Sequence, residues 1–473
     1  MYNECKRLLT DARGRIELRT FANPEEKRIY LTEQPVPGLV MEMAIPSIIS
    51  MLITSFYNMA DTFFVGRIGT SATAAVGVVF PLMSIIQALG FTFGHGSGNY
   101  ISRALGKGDV DSARRMATTG FFSALIAGAV FGAVCLLFLS GVVDLLGATA
   151  TIAPYAKDYA RFILIGTPFM CASLVLNNQL RFQGSAFYGM IGMGAGAVLN
   201  IALDPLFIFV LDMGVRGAAL ATILSQGVSC LWVLLFLTGK KTRIRLKPAM
   251  MKPRRDIVGR VLGLGVSPFV MQSTESLVQI VINTGLARYS GDLAVASMTI
   301  ISSVMMVLNM PLQGLGQGAQ PIISYNFGAK NIDRVRRTFR LLITITLSFS
   351  TLMCLLVELV PGVFIRIFSS DAELIELTCR VIRIFIAGFF AMGAQFAVQQ
   401  MFLSVGQAKS SVFIAMLRKI VLLIPLALIL PRLFGMGALG IYIAEPIADF
   451  TCASISCILF AVKSKKIFAE QRG

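Results

Sequence analysis

Twelve apolar runs divide the chain, at 37–62, 72–98, 114–140, 158–182, 187–211, 214–238, 257–288, 292–318, 338–362, 380–404, 409–431 and 437–462. Each can supply the roughly 20 residues that a helix needs to cross a bilayer. The pattern predicts an all-α polytopic membrane protein with twelve transmembrane helices. Composition agrees: 55% of the 473 residues are hydrophobic, 14% are charged, and the mean hydropathy is +0.74, a balance foreign to soluble domains.

Charge orders the runs. Arg103, Lys107, Arg114 and Arg115 follow the second run, Lys330, Arg334, Arg336, Arg337 and Arg340 follow the eighth, and GKKTRIRLKPAMMKPRRDIVGR joins the sixth to the seventh. The positive-inside rule assigns these loops to the cytoplasm. Lys6, Arg7, Arg13, Arg15, Arg19, Lys27 and Arg28 at the start, and Lys463, Lys465, Lys466 and Arg472 at the end, place both termini there too. The expected division is a cytoplasmic segment 1–36, a six-helix bundle 37–238, a basic linker 239–256, a second bundle 257–462 and a tail 463–473. No apolar leader precedes the first span, so no cleaved signal is expected. The net charge of +17 is therefore topological, and nucleic acid is not expected as a partner because no segment is long enough for a basic soluble domain. The eight cysteines lie mostly within spans, lack CxxC pairs and read as small packing residues.

The segment GHGSGNYISRALGKGDVDSARR returns 222 residues later as GQGAQPIISYNFGAKNIDRVRR. Gly94, Gly96, Ile101, Ser102, Gly106, Asp111, Arg114 and Arg115 recur as Gly316, Gly318, Ile323, Ser324, Gly328, Asp333, Arg336 and Arg337; Pro46, Gly69 and Gly184 recur as Pro268, Gly291 and Gly406. Two six-span halves are fused in one direction, related by an axis along the membrane normal, an arrangement suited to rocking one half against the other. The glycines are expected to end the second and eighth spans in hinge-like turns, with Asp-x-x-Arg-Arg opening the next helix. A dinucleotide loop fails because Asn99 stands where the third glycine belongs, and a nucleophile elbow fails because His95 and Asn99 flank Ser97. His95, the single histidine, reads as a polar helix-end residue. No hydrolytic nucleophile–base pair is evident, and the protein is not expected to be an enzyme.

The halves disagree where polar residues enter the membrane. Asn200 and Asp204, in LNIALDPLFIF, share a helical face, whereas the second half has Leu422 and Leu426 there; Asp61 is matched by Asn283. An acid in hydrocarbon costs ~3 kcal/mol on insertion scales, so such residues are functional candidates by default. Asp61, Asp204 and Thr222 each lie about 9–12 Å from the outer end of their span at 1.5 Å per residue, one shell in which Pro205 frees a further carbonyl. Two carboxylates, an amide and a hydroxyl suit a small cation or protons; hydrogen-bonded glue between helices is the plainer alternative. The second half has its own acids: Glu275 in the seventh span, and Glu445 and Asp449 in the twelfth. Their plainer reading is ion pairing with Arg380, Arg383, Arg418 or Lys419.

FYNMADTFFVGRIGTSATAAVG, the NNQLRFQGSA turn before LNIALDPLFIF, and GVRGAALATILSQ resemble the MATE family, the multidrug and toxic compound extrusion transporters. The resemblance runs from about Pro37 to Val462. It implies two pseudo-symmetric six-helix bundles forming a V-shaped cleft, and sodium- or proton-driven drug antiport in a bacterial plasma (inner) membrane. Asp61, Asn200, Asp204 and Thr222 resemble the family's first-half cation site and would hold Na+ in a sodium-coupled member. Glu275 resembles a seventh-span glutamate of the NorM-like branch. The tenth span lacks that branch's aspartate, so a MepA-like bacterial member fits better. Glu275, with adaptable Met51 and Met271, is the candidate substrate site for lipophilic organic cations. Membrane lipids surround the protein; no organic cofactor and no obligatory protein partner are expected. The competing function is a flippase for lipid-linked precursors, which would need basic residues in the cleft for diphosphates; Arg161 and Arg181 near span ends offer little.

Overall fold

The computed structural model describes residues 24–239, 244 and 255–469. The basic residues from Lys6 to Arg19, most of the linker, and Arg472 lie outside them. The elements are α1 (Pro24–Thr32), α2 (Val36–Gly66), α3 (Thr70–Gly106), α4 (Val110–Leu137), the short α5 (Leu139–Leu145), α6 (Ala153–Phe182), α7 (Ala186–Pro205), α8 (Val215–Thr238), α9 (Arg255–Gly328), α10 (Ile332–Leu359), the short α11 (Pro361–Ile365), α12 (Ala372–Ile386), α13 (Phe389–Ser404), α14 (Ala408–Met416), α15 (Ile424–Ile429) and α16 (Ala438–Ala469).

Among the described residues, ten helical stretches are long and apolar enough to cross a membrane, and α12 with α13, bent by 46°, forms an eleventh. The longest, α9, is two spans in one run, broken at Gly291 with φ 69° and ψ −162°, which completes the expected twelve. Gly291 repeats Gly69, which turns the chain between α2 and α3 at φ 151°; positive φ there favours glycine. The fifth span of each half departs from α geometry, as a π stretch at Leu206–Val210 beyond Pro205 and another at Leu417–Leu423 ahead of Pro425. Each proline lacks an N–H and crowds the preceding turn, which interrupts the ladder.

Side-chain caps open the third span of each half. Asp109 accepts the Ser112 N–H at 2.9 Å, and Asn331 accepts the Arg334 N–H at 3.3 Å. Hydrogen bonds from the Ser112 side chain and then its backbone hold the Asp109 carboxyl below the usual range. Its contribution is present above the ordinary carboxylate pKa and is lost as pH falls through the lowered one. Asp109→Ala is expected to cost about 1 kcal/mol, read as a lower thermal midpoint at neutral pH, with the difference from wild type shrinking in strong acid.

Each half has its own core. Leu82, Ile86, Tyr159, Ile163 and Leu176 pack in the first; Ile282, Ile301, Leu308, Ile382 and Phe389 pack in the second. The repeated segment lies between them, and its expected role is corrected. Gly106 and Gly328 do end α3 and α9, as expected, but Gly94, Gly96 and Gly98 lie inside α3, and Gly316 and Gly318 lie inside α9. They make room for the other half. A Cβ on Gly106 would stand 2.0 Å from the Tyr325 carbonyl oxygen, and one on Gly328 would stand 2.1 Å from that of Arg103. Arg103 and Tyr325 are themselves repeat partners, so the contact is reciprocal. Ser102 donates to the Pro321 carbonyl at 2.9 Å, and Ser324 donates to Asn99 Oδ1 at 3.0 Å, again between matched positions.

Close approaches continue along this seam, with Gly96 at Val261, Gly265 at Thr92, Gly314 at Ile48 and Gly318 at Ala44. From Thr92 to Gly106 is about 21 Å of helix at 1.5 Å per residue, so the bundles join over the part of the membrane nearest the basic loops and diverge beyond it as a V. Arg103 adds a bond to the Ser404 carbonyl at 3.3 Å, and Arg181 donates to Gln317. The chain's leading segment crosses the same seam: the Leu31 carbonyl accepts from Asn326 and Arg334, both at 3.0 Å, and the Gln34 carbonyl accepts from Arg334 at 2.5 Å.

Candidate functional site

The first-half site grows from a small-residue stripe. Gly189, Gly192 and Gly196 are buried along one face of α7, and a Cβ on Gly196 would stand 3.0 Å from the Ser225 carbonyl oxygen of α8. Small residues allow helices to approach closely in a membrane. Asn200 and Asp204 continue that face and are buried with Asp61 of α2 and Thr222 of α8. Asn200 donates to Asp204 Oδ1 at 3.4 Å, and Thr222 spends its proton on the Ala218 carbonyl at 3.1 Å, which leaves its oxygen lone pairs free.

Three buried oxygens, Asp61 Oδ1, Asn200 Oδ1 and Asp204 Oδ2, have no hydrogen-bond partner. Asp61 and Asp204 lie within electrostatic reach of each other. Buried acceptors are ordinarily satisfied, and like charges in a low dielectric repel, so a proton or small cation would relieve both defects. Sequence reasoning missed four neighbours. Tyr57, one turn before Asp61, lies in reach of Asp61 and Gln226; Tyr159 of α6 lies in reach of both carboxylates; and the Ser225 and Ser229 hydroxyls, buried on α8, lack partners. The spacing of 57 with 61 and of 222 with 225 and 229 puts each set on one helical face, a signal available beforehand. Tyr159 carried none.

In the second half, Glu275 is not a free acid. Lys419 Nζ binds its Oε2 and donates to the Met271 carbonyl at 2.9 Å. The Glu275 side chain is 69% exposed although protein closes around it, as befits the wall of a cleft. Glu445 and Asp449 are held together by Arg418, at 2.8 and 2.6 Å. Met271 joins this network a second time through its sulfur, which accepts from Gln399 at 3.1 Å; Met51 is half-buried on α2. His95 is corrected from a helix-end residue: it is buried inside α3 between the Phe91 and Phe182 rings, at 5.6 and 6.0 Å.

The MatE family profile matches residues 46–206 and 269–429, most of the chain in two copies that coincide with its two halves. The chain belongs to the MatE family. Among curated proteins, MatE relatives include the multidrug export protein MepA of Staphylococcus haemolyticus, 27% identical over 444 residues that cover 93% of this chain and 97% of that protein. The MepA of Staphylococcus aureus is 26% identical over 92% of this chain and 96% of its own length. Among solved structures, a MATE in the bent conformation superposes with TM-score 0.89 at 24% identity, over 94% of this chain and 99% of the other. A MOP superfamily transporter from Pyrococcus furiosus gives 0.87 at 24%, over 95% and 99%. The MatE fold thus accounts for the V. The unsatisfied oxygens of α2 and α7 lie in the first MatE copy, and Arg418 and Lys419, with their acidic partners, lie in and beside the second.

Proposed function

We propose that the protein is a secondary active multidrug efflux antiporter, exchanging lipophilic cationic drugs for sodium ions or protons across a bacterial plasma membrane, with both termini in the cytoplasm. The observation that carries the reading is the set of unsatisfied buried oxygens on Asp61, Asn200 and Asp204, supported by relatives named for multidrug export. Asp61, Asn200, Asp204 and Thr222 hold the coupling ion. Neutralised carboxylates let the first half repack, and the glycine-lined seam is the surface along which the halves come together. Glu275, in the cleft wall, faces the substrate with Met271 at its side.

Proteoliposome assays test this. An imposed sodium or proton gradient is expected to drive uptake of a fluorescent lipophilic cation, with no acceleration of lipid scrambling. Scrambling without cation movement would favour a lipid flippase. Glu275→Gln is expected to slow transport of cations more than that of neutral compounds, and equal losses for both would assign Glu275 a structural part.

A further inference from the structure

The second half gathers five ionisable side chains. Arg418 binds Glu445 and Asp449, and Lys419, the next residue, binds Glu275. Among the described residues, the charged groups that act on Glu275, Arg418 and Glu445 are drawn from these five. When all three acids are ionised, two cations face three anions, leaving one uncompensated negative charge. Four members are shut in, Asp449 to 2% exposure, whereas Glu275 is 69% exposed. Lys419 takes one carboxylate oxygen, and acceptor capacity remains on the other. The surplus is therefore buried by origin and presented at one open group.

A stray charge inside a membrane bundle is expensive, and a ligand that cancels it is favoured by the same amount. We infer that this network sets the number of positive charges on the substrate: its single surplus charge, offered at Glu275, is matched by one cationic group, so that monocations are preferred over dications and over neutral analogues. The inference rests on the reading that Glu275 faces the substrate. Lys419 is then the specificity-determining residue, because without it the network would carry two surplus charges. Arg418 keeps Glu445 and Asp449 from adding more. The π stretch at Leu417–Leu423 carries both cations on consecutive residues, one reaching α16 and the other α9. An acid alone in a cleft would attract polycations most strongly; an acid with a resident lysine does not.

The test uses full-length purified protein and three aromatic probes of similar size: tetraphenylphosphonium with one charge, a bis-phosphonium with two, and neutral triphenylphosphine oxide. In wild type, tetraphenylphosphonium is expected to bind most tightly. Lys419→Met is expected to move the affinity ratio toward the bis-phosphonium by on the order of tenfold. Glu445→Gln, which brings the network to zero, is expected to weaken tetraphenylphosphonium by a similar factor while sparing the neutral probe. If Lys419→Met does not fold, the Glu445→Gln result decides. Affinities that respond to Glu275→Gln while the charge preference is unchanged in the folded network variants would overturn this inference alone. Affinities indifferent to Glu275→Gln would overturn the cleft reading beneath it.

Discussion

Asp204→Asn is expected to leave the protein folded in the membrane and to abolish both drug efflux and the stabilisation conferred by the coupling ion. Asparagine keeps the shape of the side chain but removes the charge, and it changes one of three oxygens of this site that are buried without a hydrogen-bond partner. An ion that binds only the folded state stabilises it by RT ln(1 + [L]/Kd), about 2.7 kcal/mol at a hundredfold excess over Kd. If sodium is the ion, raising it at constant ionic strength should raise the wild-type melting temperature. If protons are, acidification should do so and sodium should be silent. Asp61→Asn should lose the response equally, because the two carboxylates lie in one shell. Glu275→Gln should retain it. Loss with Glu275→Gln and retention with Asp204→Asn would place the ion in the second half.

The other large effect is expected at the seam. Gly106→Val and Gly328→Val would set side-chain atoms 2.0 and 2.1 Å from main-chain oxygens of the facing helix, and a helical carbonyl cannot swing aside as a side chain can. Relief comes from separating the bundles. Overpacking a well-packed contact costs about 1–3 kcal/mol, and each 1.4 kcal/mol is a tenfold change in equilibrium, so a closed basic end should lose its dominance. Spin labels on Lys107 and Lys330 should report a longer distance in either variant, with slowed efflux. Gly38→Ala is the control, since a Cβ there meets nothing within 4 Å. Unchanged label distances in both valine variants would show that the seam tolerates what its geometry forbids.

Much of the architecture was legible in the chain because a bilayer accepts so few solutions: long apolar runs must be helices, and polar residues within them are rare enough to be conspicuous. That is why Asp61, Asn200, Asp204 and Thr222 could be singled out before their burial together was known, and why the break at Gly291 follows from its match with Gly69. The seam was not legible. Gly106 and Tyr325 meet across an axis that no linear pattern displays, and turn-forming glycine and close-packing glycine look alike until the opposing backbone is in place. The partner of Glu275 was hidden for a related reason. Four basic residues were within reason, and the choice of Lys419 depends on the register between α9 and the stretch at Leu417–Leu423, which the π geometry alters.

The bonds from Asn326 and Arg334 to the Leu31 and Gln34 carbonyls bear on how the protein should be handled. The residues that lead into the first bundle are fastened to the second. A label placed on α1 is therefore expected to ride with the second bundle although it precedes the first along the chain, and a fusion joined directly to α1 is expected to load the joint between them, whereas a label on the last turn of α16 belongs to one bundle by both sequence and contact.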